Sequence, residues 1–223
     1  AVIHMTNAHG AGLADAFVAN MDAADICTQV GFEDTSTDYA TLAQAVVDAG
    51  CTSALLVSYA TDGAGIIEEL AGLGYEGDIY GADGIAEEGL AAGMSDTTLV
   101  DGIIATKPAA AGTPGTVAMV FGSLCAQSTD CAGGIYTAEA FDAVTIVAFA
   151  AFTALATPGL DAGSAVMGTG QGWNGASGTI SFLTNGDVPA AGFCIGEFST
   201  ATDGTVSYDC ARSWDPVNGI TTA

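Results

Sequence analysis

Ser53-Ala54-Leu55-Leu56-Val57-Ser58 is an unbroken apolar run, and after Tyr59 to Gly63 it is followed by Ala64-Gly65-Ile66-Ile67-Glu68-Glu69-Leu70-Ala71-Gly72-Leu73-Gly74. A short continuous apolar run reads as a strand buried on both faces, as in a parallel sheet. The second stretch places its large apolar residues at helical spacing and stops at a glycine suited to a helix C-terminus. One strand–helix unit of this kind predicts others on either side.

Working toward the N-terminus, Tyr39 to Ala49 reads as a helix that Asp38 can cap, Ile26 to Phe32 as a strand, Gly12 to Met21 as a helix and Val2 to Met5 as a strand. In the other direction come a strand at Ile79–Gly81, a small helix near Glu87 to Ala92, and a strand from Val100 to Ala105. Strands alternating with helices at short spacing predict an α/β fold built on a parallel sheet, with residues 1–106 forming one complete lobe. Pro108 to Gly115 reads as a crossing segment.

Residues 107–178 differ in kind. Thr116 to Leu124 and Thr137 to Ala156 read as helices, the second ended by Pro158, and the glycine-rich stretch 163–178 as loop. The apolar run Ala143 to Ala156 follows Asp142 and is too short to cross a bilayer, so a buried helix of a soluble chain is expected. In residues 179–223, Thr179 to Phe182, Phe193 to Phe198 and Val206 to Tyr208 read as strands, separated by turns at Asn185-Gly186-Asp187 and Asp203-Gly204.

The chain carries 26 acidic residues against Lys107 and Arg212, a formal net charge of −24. Nucleic acid and anionic membranes are therefore poor partners, and no nucleic acid is expected. A heavily hydrated acidic surface suits work at high salt, where screening shortens the repulsion. The chain opens on an apolar strand with no basic leader, so any signal peptide or upstream domain is expected to have been removed.

Six cysteines contain no Cys-x-x-Cys pair, and the two histidines show no metal spacing, so no metal and no cofactor are expected. Disulfides are the expected state, which points to a periplasmic or cell-surface setting. Six cysteines allow about fifteen pairings. Proximity favours Cys125 with Cys131, which bracket a polar loop, and Cys194 with Cys210, which flank two strand-like runs; Cys27 and Cys51 then remain.

Several motifs in order carry a family resemblance. Asn7-Ala8-His9-Gly10-Ala11-Gly12-Leu13 follows the first strand; Leu55 to Tyr59 leads into Asp62-Gly63-Ala64; Gly81-Ala82-Asp83-Gly84 forms a later turn. Downstream stand Ala140-Phe141-Asp142-Ala143-Val144 and Gly178-Thr179-Ile180-Ser181-Phe182 with Asn185-Gly186-Asp187. Together they resemble the C-terminal portion of the type 1 periplasmic binding proteins that serve branched-chain amino-acid and amide ABC transporters.

The resemblance implies one whole α/β lobe plus parts of a second, capture of an amino acid or related small polar ligand, and delivery to the membrane subunits of an ABC transporter. It implies that His9, Tyr59, Ala60, Asp62 and Asp83 face the ligand cleft, with Asp83 matching the carboxylate that neutralises the ligand's ammonium. At the place of His9 the family commonly carries an aromatic residue. The other readings are a helix-capping Asp83, a core Tyr59, a satisfied polar His9 and a solvated Asp62. The lobe ahead of residue 1 has no counterpart here, so the long apolar helix is expected to need a partner surface, either that lobe or another copy. A structural or assembly protein reusing the fold is the competing expectation.

Enzymatic chemistry is not expected. Gly170-x-Gly172-x-x-Gly175 matches a dinucleotide fingerprint, but a strand-like run follows it where a helix is required. A Gly-x-Ser-x-Gly elbow, a P-loop and a His-Glu-x-x-His motif are all missing from the sequence.

Overall fold

A computed structural model describes residues 1–109, 116–128, 131, 136–189 and 192–222. Its helices are α1 (Ala8–Ala19), α2 (Ala40–Asp48), α3 (Ala60–Gly72), α4 (Thr116–Cys125), α5 (Thr137–Ala156) and α6 (Ala162–Thr169). Its strands are β1 (Val2–Met5), β2 (Gln29–Phe32), β3 (Ser53–Val57), β4 (Asp78–Gly81), β5 (Ile104–Pro108), β6 (Trp173–Asn174), β7 (Thr179–Ile180), β8 (Phe193–Thr200), β9 (Val206–Asp215) and β10 (Gly219–Thr222). Most of the crossing segment expected at Pro108–Gly115 lies outside the described residues.

The chain divides into two compact units: residues 1–107, 193–214 and 220–223, and residues 108–192 with 215–219. The first carries an eight-stranded sheet of order β10-β9-β8-β5-β4-β3-β1-β2. Strands β1 to β5 pair in parallel, as the βαβ pattern requires, and β8 pairs antiparallel with β9. Because β1 is followed by β2 on one side and β3 on the other, the chain reverses its direction of progress at β1. Right-handed crossovers then place α1 on one face of the sheet and α2 and α3 on the opposite one.

That asymmetry corrects the expectation of strands buried on both faces. On the α2/α3 side, Ile3, Met5, Val46, Ala54, Leu56, Ile66, Ile67 and Leu70 form a closed core. On the α1 side, Leu55, Tyr80 and Ile104 line an apolar groove of about 710 Å³ beside Leu13 and Phe17 of α1. Helix α1 covers only part of that face.

Several boundaries also shift. Helix α1 begins at Ala8 rather than Gly12, because the Asn7 side chain accepts from the Gly10 amide and caps it. Helix α3 begins at Ala60 rather than Ala64. The strand expected over Val100–Ala105 is displaced to β5: a 3₁₀ turn occupies Thr97–Val100, and Gly102 turns the chain at φ +79°. Within 163–178 the expected loop contains helix α6, capped by Asp161, whose carboxylate accepts from the Ser164 amide. A local cap outweighs the glycine content there.

In the second unit, α5 packs against α6. The carboxylate of Asp142, fully buried on α5, accepts from the Ala176 and Ser177 amides and from Ser177 Oγ at 2.7–2.8 Å. Helix α5 is not the buried helix expected: Val144, Phe149, Phe152 and Leu155 stand out from it, Leu155 at 85% exposure. By length and composition it could also cross a membrane, its mean hydropathy being 1.6 over a window. The fingerprint Gly170 to Gly175 runs from the end of α6 into the β6–β7 hairpin and opens no helix.

Disulfides join Cys27 to Cys51, Cys125 to Cys131 and Cys194 to Cys210. The last two are the pairs that proximity favours, and Cys27 with Cys51 is the pair that then remains.

Candidate functional site

In an open parallel sheet, ligands bind beyond the carboxyl ends of the strands where the strand order reverses. In the first unit this point lies at the ends of β1 and β3, with β4 next to them. Three short connections meet there: Thr6-Asn7 before α1, Ser58-Tyr59 before α3, and Ala82 before a 3₁₀ turn over Asp83–Ile85.

Close packing of glycine holds these connections in place. A side chain at Gly10 would drive its first carbon into the Met5 carbonyl oxygen, and one at Gly84 into that of Ser58. The first turn of α1 therefore rests on the end of β1, and the turn after β4 rests on the end of β3.

His9, Tyr59 and Asp83 converge as a result. His9 Nε2 lies 4.0 Å from the Asp83 carboxylate. The imidazole runs parallel to the Tyr59 ring, with 4° between planes and 6.1 Å between centroids. His9 sits inside the first turn of α1 rather than in a loop, with no acidic residue of α1 beside it. Tyr59 is 52% exposed, which is incompatible with the core reading. The capping position of the turn after β4 is Ala82, and Asp83 lies one residue inside it.

Ala60 is the first residue of α3, whose capping position, Tyr59, offers no side-chain acceptor. The amides of that first turn thus present the positive end of the helix at the crevice edge. Asp62, in the same first turn, is engaged elsewhere: Tyr39 Oη donates to its Oδ1 at 2.6 Å. Burial first, and then the hydrogen bond and charge of Asp62, push the Tyr39 phenol up from 10.0 to about 12. Asp34 similarly accepts from Asn7 Nδ2 at 2.9 Å.

Sequence reasoning missed Tyr39, since nothing local connects it to a carboxylate 23 residues away. It also missed Ser58, which is buried at the end of β3 with no partner for its hydroxyl among the described residues. The apolar run it terminates marks it only as a strand end. Among the described residues no cluster of three or more His, Cys, Asp or Glu could hold a metal.

No protein-family model matches the sequence, and no curated protein matches it significantly. Solved structures do match. A leucine-binding protein from Thermotoga maritima aligns with TM-score 0.73 at 20% identity, covering 96% of this chain and 60% of that one. The branched-chain amino-acid transporter substrate-binding protein LivJ from Streptococcus pneumoniae, in complex with isoleucine, aligns at 0.65 and 16% identity, covering 93% and 58%. A solute-binding protein of an ABC transporter from R. palustris, in complex with 4-hydroxybenzoate, aligns at 0.73 and 14% identity, covering 96% and 60%. The chain has the fold of the type 1 periplasmic binding proteins and spans about 60% of the length of these structures.

Proposed function

We propose that this chain is the ligand-holding part of an extracytoplasmic solute-binding protein that captures an amino acid for an ABC-type transporter, and that it carries no catalytic step. The convergence of Asp83, His9 and Tyr59 at the strand-order reversal supports this reading most directly. Asp83 holds the ligand's ammonium by a charge-assisted hydrogen bond, Tyr59 offers its exposed ring to the aliphatic part, and the α3 N-terminus from Ala60 edges the crevice. The three disulfides agree with a periplasmic or cell-surface setting.

Calorimetric titration with leucine, isoleucine and 4-hydroxybenzoate tests it. Leucine or isoleucine should bind, and Asp83→Ala should weaken binding by roughly 10- to 100-fold, the worth of one charged hydrogen bond. Equal binding by the variant would remove Asp83 from the site, and binding of the benzoate alone would replace the ligand class.

One observation favours a second reading, in which the fold serves assembly. Met119, Val120 and Leu124 on α4 and Val144, Phe152 and Leu155 on α5 are exposed apolar residues that a further lobe or another copy would cover. Sedimentation separates the two: a monomer that binds ligand supports capture, and an assembly without ligand affinity supports the structural role.

A further inference from the structure

The sequence holds only two fixed cations, Lys107 and Arg212, against 26 acidic residues. The fold brings both toward one end of the eight-stranded sheet. Lys107 lies at the carboxyl end of β5, two residues beyond Ala105, which pairs with Gly81; Asp83 lies two residues beyond Gly81 on the neighbouring chain segment. The Phe198 amide donates to the Ile103 carbonyl and the Thr200 hydroxyl to that of Thr97, so β8 runs antiparallel beside β5. Arg212 stands opposite Ile195, near the start of β8 and therefore toward the same end. Among the described residues neither cation forms an ion pair with a carboxylate.

The Lys107 ammonium is held in place without being neutralised. It lies 4.7 Å over the centre of the Tyr208 ring. Tyr208 Oη donates to the Ala105 carbonyl at 2.8 Å and accepts from the Gly196 amide at 3.2 Å, which fixes the ring beneath it. A ring face engages one side of an ammonium, which has three donors to give.

We propose that Lys107 binds the carboxylate of the ligand, making the carboxyl end of β5 the anion-binding part of the site. The inference rests on the amino-acid reading above and deepens it. An α-amino acid carries both charges on one carbon, and the ends of neighbouring strands, about 5 Å apart, present a partner for each. A carboxylate approaching a chain of net charge −24 is repelled unless a cation meets it. Arg212 adds attraction at longer range toward the same end of the sheet.

Calorimetry on the full chain compares leucine with leucinamide, which keeps the ammonium and the side chain but lacks the carboxylate. The native chain should bind leucine at least about 10-fold more tightly, the scale of one charged hydrogen bond. Lys107→Met and Lys107→Gln should each remove most of that preference, weakening leucine and leaving leucinamide near its native affinity, and Lys107→Arg should keep it. Two neutral variants guard against one that fails to fold. If Lys107 served only to pack on Tyr208, its replacement would weaken both ligands alike, and that result would overturn the proposal while leaving capture in place. Equal binding of the two ligands by the native chain would do the same, as would a preference lost in Arg212→Gln yet kept in both neutral Lys107 variants. No binding of either ligand by the native chain would overturn this inference and the capture reading together.

Discussion

Tyr39 donates its phenolic proton to Asp62 across 2.6 Å, tying the start of α2 to the first turn of α3. Ser36 offers a second acceptor at 2.9 Å, but a phenol has one proton, and the shorter contact goes to the charged partner. The bond holds that carboxylate against the start of α2. Asp62 thereby acts as a brace.

The phenol is raised from 10.0 to about 12 in the folded chain. Above about pH 10 the unfolded chain loses this proton while the folded one keeps it, so stability falls as pH rises through that window. The contribution is fully present below about pH 10 and gone above about pH 12. Tyr39→Phe should therefore cost about 1–2 kcal/mol at neutral pH in urea unfolding, and the gap to the native chain should close between about pH 10 and about pH 12. A gap that stays constant through that range would mean that ring packing, and not the hydroxyl, carries the loss.

Asp142 is fully buried with three donors on its carboxylate. Asp142→Ala should destabilise the second unit by about 3 kcal/mol or more, because two amides and a hydroxyl lose a charged acceptor in a dry setting. Asp142→Asn should also destabilise, since its NH₂ would face donors. Thermal unfolding followed by fluorescence of Trp173, which packs on Phe149 of α5, reports on this unit. An unchanged midpoint in both variants would show that the 175–177 loop finds other acceptors.

The Cys27–Cys51 bridge closes a separation of 24 residues that contains β2 and α2. Replacing both cysteines by serine should lower stability by about 3 kcal/mol, chiefly by freeing the unfolded chain. The Cys125–Cys131 bridge spans only 6 residues, and its removal should cost less. Denaturant midpoints of the two double variants, compared directly, check that order.

A net charge of −24 with two fixed cations gives the folded surface strong self-repulsion. Adding sodium chloride from about 0.1 M to about 1 M, which shortens the screening length from about 10 Å to about 3 Å, should raise the melting temperature. A flat or falling melting temperature would show that hydration of the acidic surface needs no added salt.

The sequence by itself determined the parallel α/β class. The periods of its apolar residues, an unbroken run in Ala54 to Val57 and one stripe in Ile66, Ile67 and Leu70, are local properties, and Ala54, Leu56, Ile66, Ile67 and Leu70 all enter the core. Closeness along the chain favours two of the cysteine pairs and leaves Cys27 with Cys51 over, but sequence order does not by itself choose among the pairings. His9, Tyr59 and Asp83 could be singled out only through the motifs around them. Their meeting depends on strand order, which sets β1, β3 and β4 side by side although their ends are separated by many residues. Tertiary structure alone decided that Asp62 belongs to Tyr39, that α1 leaves part of one sheet face open, and that large side chains of α5 stand exposed. Each depends on what lies across from a residue in space, and a pattern of spacings along the chain carries no record of that.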